Sequence, residues 1–143
     1  MSNMEPFLSK SQKIIVSCIL EKDKKILLVR KNKLFDNLKS FGFGYFDIPH
    51  FLVDFGEDPE FVIRKRLAEY FDYEAVSADI VAVKQNLSNE NSAQVFEIVY
   101  KVKGDDFPDK EEKCDLFFFA GKEDLASYVF LQRCKDINSY LDR

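Results

Sequence analysis

Short apolar and β-branched runs alternate with polar breaks along most of this chain, and one stretch near the middle changes to helical spacing. Lys13-Ile14-Ile15-Val16-Ser17-Cys18-Ile19-Leu20 and Lys25-Ile26-Leu27-Leu28-Val29-Arg30 flank the polar break Glu21-Lys22-Asp23-Lys24, the pattern of two strands joined as a hairpin. After a loop holding Gly42 and Gly44, Tyr45 to Pro49 reads as a short extended piece, and the proline argues for a strand end or edge. Asp58 then supplies a helix N-cap, Pro59 fits the first helical position and Glu60 complements the positive end of the helix dipole. The helix is predicted to run to about Phe71, because Ile63, Leu67 and Phe71 recur every four residues. Its neighbouring face carries Val62, Arg66, Glu69 and Tyr70.

Ala75 to Val83 and Gln94 to Val102 read as strands joined by a polar loop, Gln85 to Ser92. Lys103 to Lys113, acidic with glycine and proline, reads as a loop, and Cys114 to Phe119 as another strand. Lys122 to Asp142 holds two helical stretches whose expected buried side is Val129, Leu131, Cys134, Ile137 and Leu141. Strands, a helix, more strands and a terminal helix make an α/β or α+β domain, with helices on the faces of a mixed sheet.

The chain has 143 residues, enough for one domain with a sizeable core and too few for two, so a single domain over 1–143 is expected. Fifteen Phe and six Tyr with no Trp make that core largely one of phenyl rings. The formal net charge of -4 gives no general attraction to nucleic acid or to an anionic membrane. The basic runs Lys22 to Lys25 and Arg30 to Lys33 read as solvated hairpin ends rather than a nucleic-acid patch. No run approaches the ~18 apolar residues of a membrane span, and Met1 to Lys13 lacks a signal-peptide core, so a cytoplasmic protein is expected. Cys18, Cys114 and Cys134 are odd in number and far apart, which suggests neither a disulfide framework nor a zinc site.

Residues 48 to 73 carry the most specific pattern. Glu57, Leu67 and Glu69 stand in the frame G-x5-E-x7-R-E-U-x-E-E-x-G-U, where U is a bulky aliphatic residue. Within the same frame Phe51 takes the place of the first glycine, Lys65 of the arginine, Arg66 and Tyr70 of two glutamates, and Asp72 of the second glycine. The segment resembles a Nudix box with much of its chemistry altered. The resemblance implies the Nudix fold, an α/β/α sandwich with a mixed sheet, over about the whole chain. It also implies descent from enzymes that hydrolyse nucleoside diphosphate derivatives with a divalent cation held by helix glutamates.

Clustered carboxylates suit a hard cation such as magnesium because they attract the ion and orient the attacking water. Positions 66, 69 and 70 share one helix face, and here they hold Arg66, Glu69 and Tyr70. Two like charges ~4 Å apart repel by ~4 kcal/mol at an effective dielectric of ~20, so a guanidinium there opposes a bound cation. Arg66 is expected to replace the metal by pairing with Glu69 and with Glu57. His50 and Phe51 stand where family glycines let the backbone approach the ligand, and add Cβ atoms. His50, the only histidine, is a candidate ligand-binding residue or a simple loop cap. Arg30 ends the second strand, from which Nudix proteins often reach a substrate phosphate.

Three readings stay open. The first is a non-catalytic module that binds a nucleotide-like small molecule through Arg30, His50, Arg66 and Tyr70, with no cofactor. The second is an atypical hydrolase in which Glu57, Glu69 and Glu112 hold magnesium or manganese. The third is a structural or protein-interaction domain, including a homodimer.

Overall fold

A computed structural model describes residues 11–30, 46–87, 93–104, 117–129 and 131–141. The first strand, β1 (Ser11–Ile19), is followed by β2 (Glu21–Lys22) and β3 (Lys25–Arg30). Asp23 and Lys24 between β2 and β3 both have positive φ, 52° and 65°, so this hairpin closes on a type I′ turn whose twist matches its strands. Next come β4 (Phe46–Asp47), β5 (His50–Val53) and helix α1 (Pro59–Phe71). β6 (Ala75–Leu87), β7 (Ala93–Gly104) and β8 (Phe117–Gly121) precede a 3-10 turn at Lys122–Asp124 and two helices, α2 (Leu125–Tyr128) and α3 (Leu131–Leu141).

Among the described residues the strands form two four-stranded sheets. One has the order β5-β1-β7-β6, parallel between β1 and β7 and antiparallel elsewhere. In the other, β3 pairs with β2, β4 and β8, all antiparallel. Strand residues alternate between faces, and this divides the core in two. Val16, Cys18, Leu20, Leu27 and Val29 join Val62, Ile63, Leu67 and Phe71 of α1 on one side. Ile19, Ile26, Leu28 and Val99 join Leu125, Val129, Cys134 and Ile137 of the terminal helices on the other. Helices therefore cover both faces of a mixed sheet layer, the α/β/α arrangement.

Helix α1 forms where the sequence places it. The Asp58 carboxylate accepts the Phe61 N–H at 3.1 Å and Pro59 stands in the first turn. Val62 is buried with Ile63, Leu67 and Phe71, so the apolar face is wider than the four-residue stripe alone. At the other end Asp72 takes a left-handed conformation (φ 52°, ψ 39°), with Asp72 N–H on the Ala68 carbonyl and Tyr73 N–H on that of Leu67. That is a Schellman cap with an aspartate where glycine is usual.

Several elements differ from the sequence-based expectation. β5 was not anticipated: Pro49 ends the extended piece, but its carbonyl accepts the Cys18 N–H at 2.8 Å and the chain resumes pairing with β1 one residue later. β6 continues through Gln85, Asn86 and Leu87, which the polar pattern predicts as a loop, because each is held opposite a residue of β7. The expected loop over 103–113 and the start of the strand at 114 lie largely outside the described residues. Among the described residues no helix is long and apolar enough to cross a membrane.

Candidate functional site

The turn before α1 is built around Gly56. Its φ is +86° while that of Phe55 is negative, and Glu57 N–H donates to the Asp54 carbonyl at 3.0 Å, so Asp54 to Glu57 form a type II turn with glycine at the position that demands it. Glu57 closes the turn a second time, one carboxylate oxygen accepting the Asp54 N–H at 2.9 Å. The expected ion pair between Glu57 and Arg66 is not among the described contacts. The carboxylate serves its own turn instead, a local bond three residues back that needs no long side chain to reach it.

About two turns into the helix, the Arg66 guanidinium donates to the Glu69 carboxylate at 3.0 Å. Both side chains are a third or more exposed, so the pair contributes modestly to stability. Its consequence is chemical: the lone pairs of Glu69 that face Arg66 are occupied by a cation fixed to the same helix. Tyr70 on this face is stacked on Phe51, with ring centroids 6.0 Å apart and planes 6° from parallel.

Phe51 and His50 separate across the sheet. Phe51 stands opposite Val16 of β1 and is buried in the α1-side core, whereas His50 stands opposite Ser17 and turns to the α3 side. His50 is buried, and its Nδ1–H donates to the Ile48 carbonyl at 3.0 Å, because a carbonyl can only accept; the Asp47 carboxylate is 3.9 Å from the same nitrogen. Arg30 lies with its guanidinium carbon 5.5 Å from the Phe46 ring centroid, and its buried Nε has no hydrogen-bond partner. Glu112 lies outside the described residues.

The structure adds a charged cluster the sequence did not reveal. On the α3 side, Arg133 reaches from α3 to two strands, with Nε on Asp47 at 3.0 Å and Nη1 on Glu97 at 2.7 Å. Ser17 donates its hydroxyl to the other Glu97 oxygen, and Asp47 also accepts the Ile48 N–H at 2.8 Å. Burial alone pulls the Arg133 guanidinium down, the largest single influence, but the charges of Asp47 and Glu97 and their hydrogen bonds outweigh it and hold its pKa above the ordinary arginine value. The one available signal was a glutamate inside an apolar strand, Phe96-Glu97-Ile98, since a buried carboxylate needs a partner. Nothing nearby in sequence identifies that partner as Arg133.

No family model and no curated protein matches the chain. Solved structures do. A Nudix hydrolase from Nitrosomonas europaea aligns over 90% of this chain and 89% of its own, with a TM-score of 0.65 and 11% identity. The E. coli ORF135 protein aligns over 84% and 81%, at 0.62 and 20%. A MutT Nudix hydrolase from Burkholderia pseudomallei aligns over 78% and 84%, at 0.60 and 16%.

The chain has the Nudix fold.

Nudix hydrolases use magnesium or manganese, so the residues at the box position can be tested against such an ion. They do not fit it. Glu69 is engaged by Arg66, one oxygen of Glu57 is engaged by the Asp54 N–H, and the third position carries a phenol stacked on Phe51. Among the described residues no three His, Cys, Asp or Glu side chains converge closely enough to hold a metal.

Proposed function

We propose that this protein is a Nudix-fold module with a degenerate box, one that binds a nucleotide-like or other small phosphorylated ligand in the cytoplasm without metal and without hydrolysing it. The observation that carries this reading is the Arg66–Glu69 pair at 3.0 Å, formed at helix positions where the family keeps two metal-binding glutamates. A guanidinium there supplies positive charge permanently and offers forked donors that match phosphate geometry. It is thus a covalently attached substitute for the cation as a phosphate partner, but it cannot activate a water as a metal ion does. Tyr70, one turn along the same face, adds an aromatic surface, whereas Arg30 lies over the Phe46 ring on the α3 side of the sheet and stands outside this site.

Two measurements test the reading. Purified protein incubated with a panel of nucleoside diphosphate derivatives and magnesium or manganese should release no product. The same compounds with chelator present should raise the melting temperature, since a ligand at ~100 times its dissociation constant stabilises the native state by ~2.7 kcal/mol. Arg66→Ala should reduce that shift. Turnover abolished by Glu69→Gln would instead establish an atypical metal-dependent hydrolase, and shifts that require the cation would remove the metal-free site.

A further inference from the structure

β6 is an edge strand: β7 pairs with one side of it, and no described strand pairs with the other. It is 13 residues long, and long edges are usually blunted by charge, proline or a covering element. Here Val76, Ile80, Val83 and Leu87 are all more than half exposed. The Arg64 guanidinium caps the carbonyls of Ala75 and Val76, which leaves edge pairing to Ser77–Ile80 and Val83–Leu87.

From these features we propose that β6 is a homodimer interface, two copies pairing edge to edge and antiparallel about a two-fold axis between Val81 and Ala82. In that register Ile80 faces Val83 of the other copy and Asp79 faces Lys84, each twice. The two exposed apolar side chains nearest the axis thus meet each other, and the acid meets the base. Asp79 is exposed, and Lys84 is a third exposed while paired with Asp136 at 2.6 Å, so a second carboxylate can share its ammonium.

Opposed residues in an antiparallel pair must project to the same side of the sheet. In a regular strand a residue at 80 and one at 83 project to opposite sides, and this register would be forbidden. β6 is irregular between Ile80 and Ala82: Ile80 stands opposite Tyr100, Ala82 opposite Val99 and Val83 opposite Ile98, with Val81 extra. The bulge shifts the phase by one residue, as bulges do. Ile80 and Val83 consequently share the α1 side with Tyr100 and Ile98, while Asp79 and Lys84 share the α3 side with Lys101 and Glu97. Because 80 and 83 are opposite β7 residues two apart, their backbone groups also have the same orientation in the ladder. A further irregularity between Ala75 and Ser77 ends the regular part of the strand, while the one between Ile80 and Ala82 lies at the axis of the register that pairs Ile80 with Val83, and that pairing joins two four-stranded sheets into one continuous sheet.

This proposal is independent of whether the box binds a ligand. Sedimentation equilibrium on the full chain should give a reversible dimer. Ile80→Lys should weaken it at least about tenfold, equivalent to ~1.4 kcal/mol, and Asp79→Lys should weaken it too, with circular dichroism and melting of the monomer preserved. A variant carrying both Ile80→Cys and Val83→Cys should cross-link under mild oxidation into a covalent dimer, whereas Ile80→Cys alone should not, since that side chain faces Val83 rather than itself. A monomer at all concentrations up to millimolar, a dimer indifferent to both charge substitutions, or equal cross-linking by the single variant would each overturn the proposal.

Discussion

Among the described residues, three other than glycine have positive φ: Asp23, Lys24 and Asp72. The left-handed region costs an L-residue roughly 1–2 kcal/mol, less for Asp, whose short side chain bonds locally. Lys24 has no such relief. Lys24→Gly should therefore stabilise the protein by about 0.5–1 kcal/mol and Asp72→Gly by less, after allowing for the extra freedom glycine gives the unfolded chain. Urea denaturation midpoints measure both, and a loss of stability in Lys24→Gly would contradict the turn geometry. Phe51 and Tyr70 give a second residue-scale expectation. Stacked aromatic pairs contribute about 0.5–1.5 kcal/mol beyond the area they bury. A double-mutant cycle of Phe51→Leu and Tyr70→Ala should return a coupling in that range, and additive effects would mean the rings merely adjoin. Phe51→Ala alone should cost about 3–5 kcal/mol, as for other core phenylalanines.

Helix α3 is held by the Arg133 cluster as well as by the apolar side of Cys134, Ile137 and Leu141. Burying three charges gains little net free energy, but removing one partner leaves the others uncompensated. Arg133→Met should therefore destabilise by about 3–5 kcal/mol. Adding Glu97→Leu and Asp47→Asn to it should recover most of that loss, because the stranded carboxylates are then gone. If the single variant cost no more than a typical surface change, Arg133 would be solvated rather than a tie between α3, β4 and β7. Helix α1 is different in kind. Its cap, first-turn proline and i,i+4 stripe are all local, and its boundaries follow the sequence to the residue.

Across the whole molecule, what the sequence made legible divides by distance along the chain. Strand runs, the N-cap of α1 and the Arg66–Glu69 pair depend on neighbours within a turn or a hairpin, and all three were readable. Arg133 meets Glu97 and Asp47 across separations of 36 and 86 residues, and no periodicity encodes such a meeting. β5 was hidden for a related reason, since its four residues qualify as a strand only once β1 is beside them. The division of Phe51 and His50 between two cores likewise follows from that pairing. Burial gives the whole fold a pH dependence. The Cys18 thiol is pushed well above its ordinary value by burial, and Tyr100 is raised first by burial and then by Glu60 and Asp58. Both hold their protons longer folded than unfolded, so their contribution is complete below the unfolded values and declines as pH rises. Near pH ~9.5 the thiol alone should cost about 1.4 kcal/mol, and Cys18→Ala should flatten the alkaline slope of the urea midpoint. An unchanged slope would place that thiol in contact with solvent.

The ring stack between Phe51 and Tyr70 also constrains which substitutions this face of the protein tolerates. Glycine at 51 by itself would leave a hole beneath the tyrosine, glutamate at 70 by itself would set a carboxylate against a phenyl face, and glutamate at 66 by itself would leave Glu69 beside a like charge. Each of these substitutions is disfavoured while the others are unmade, so the three positions can change together but not one at a time.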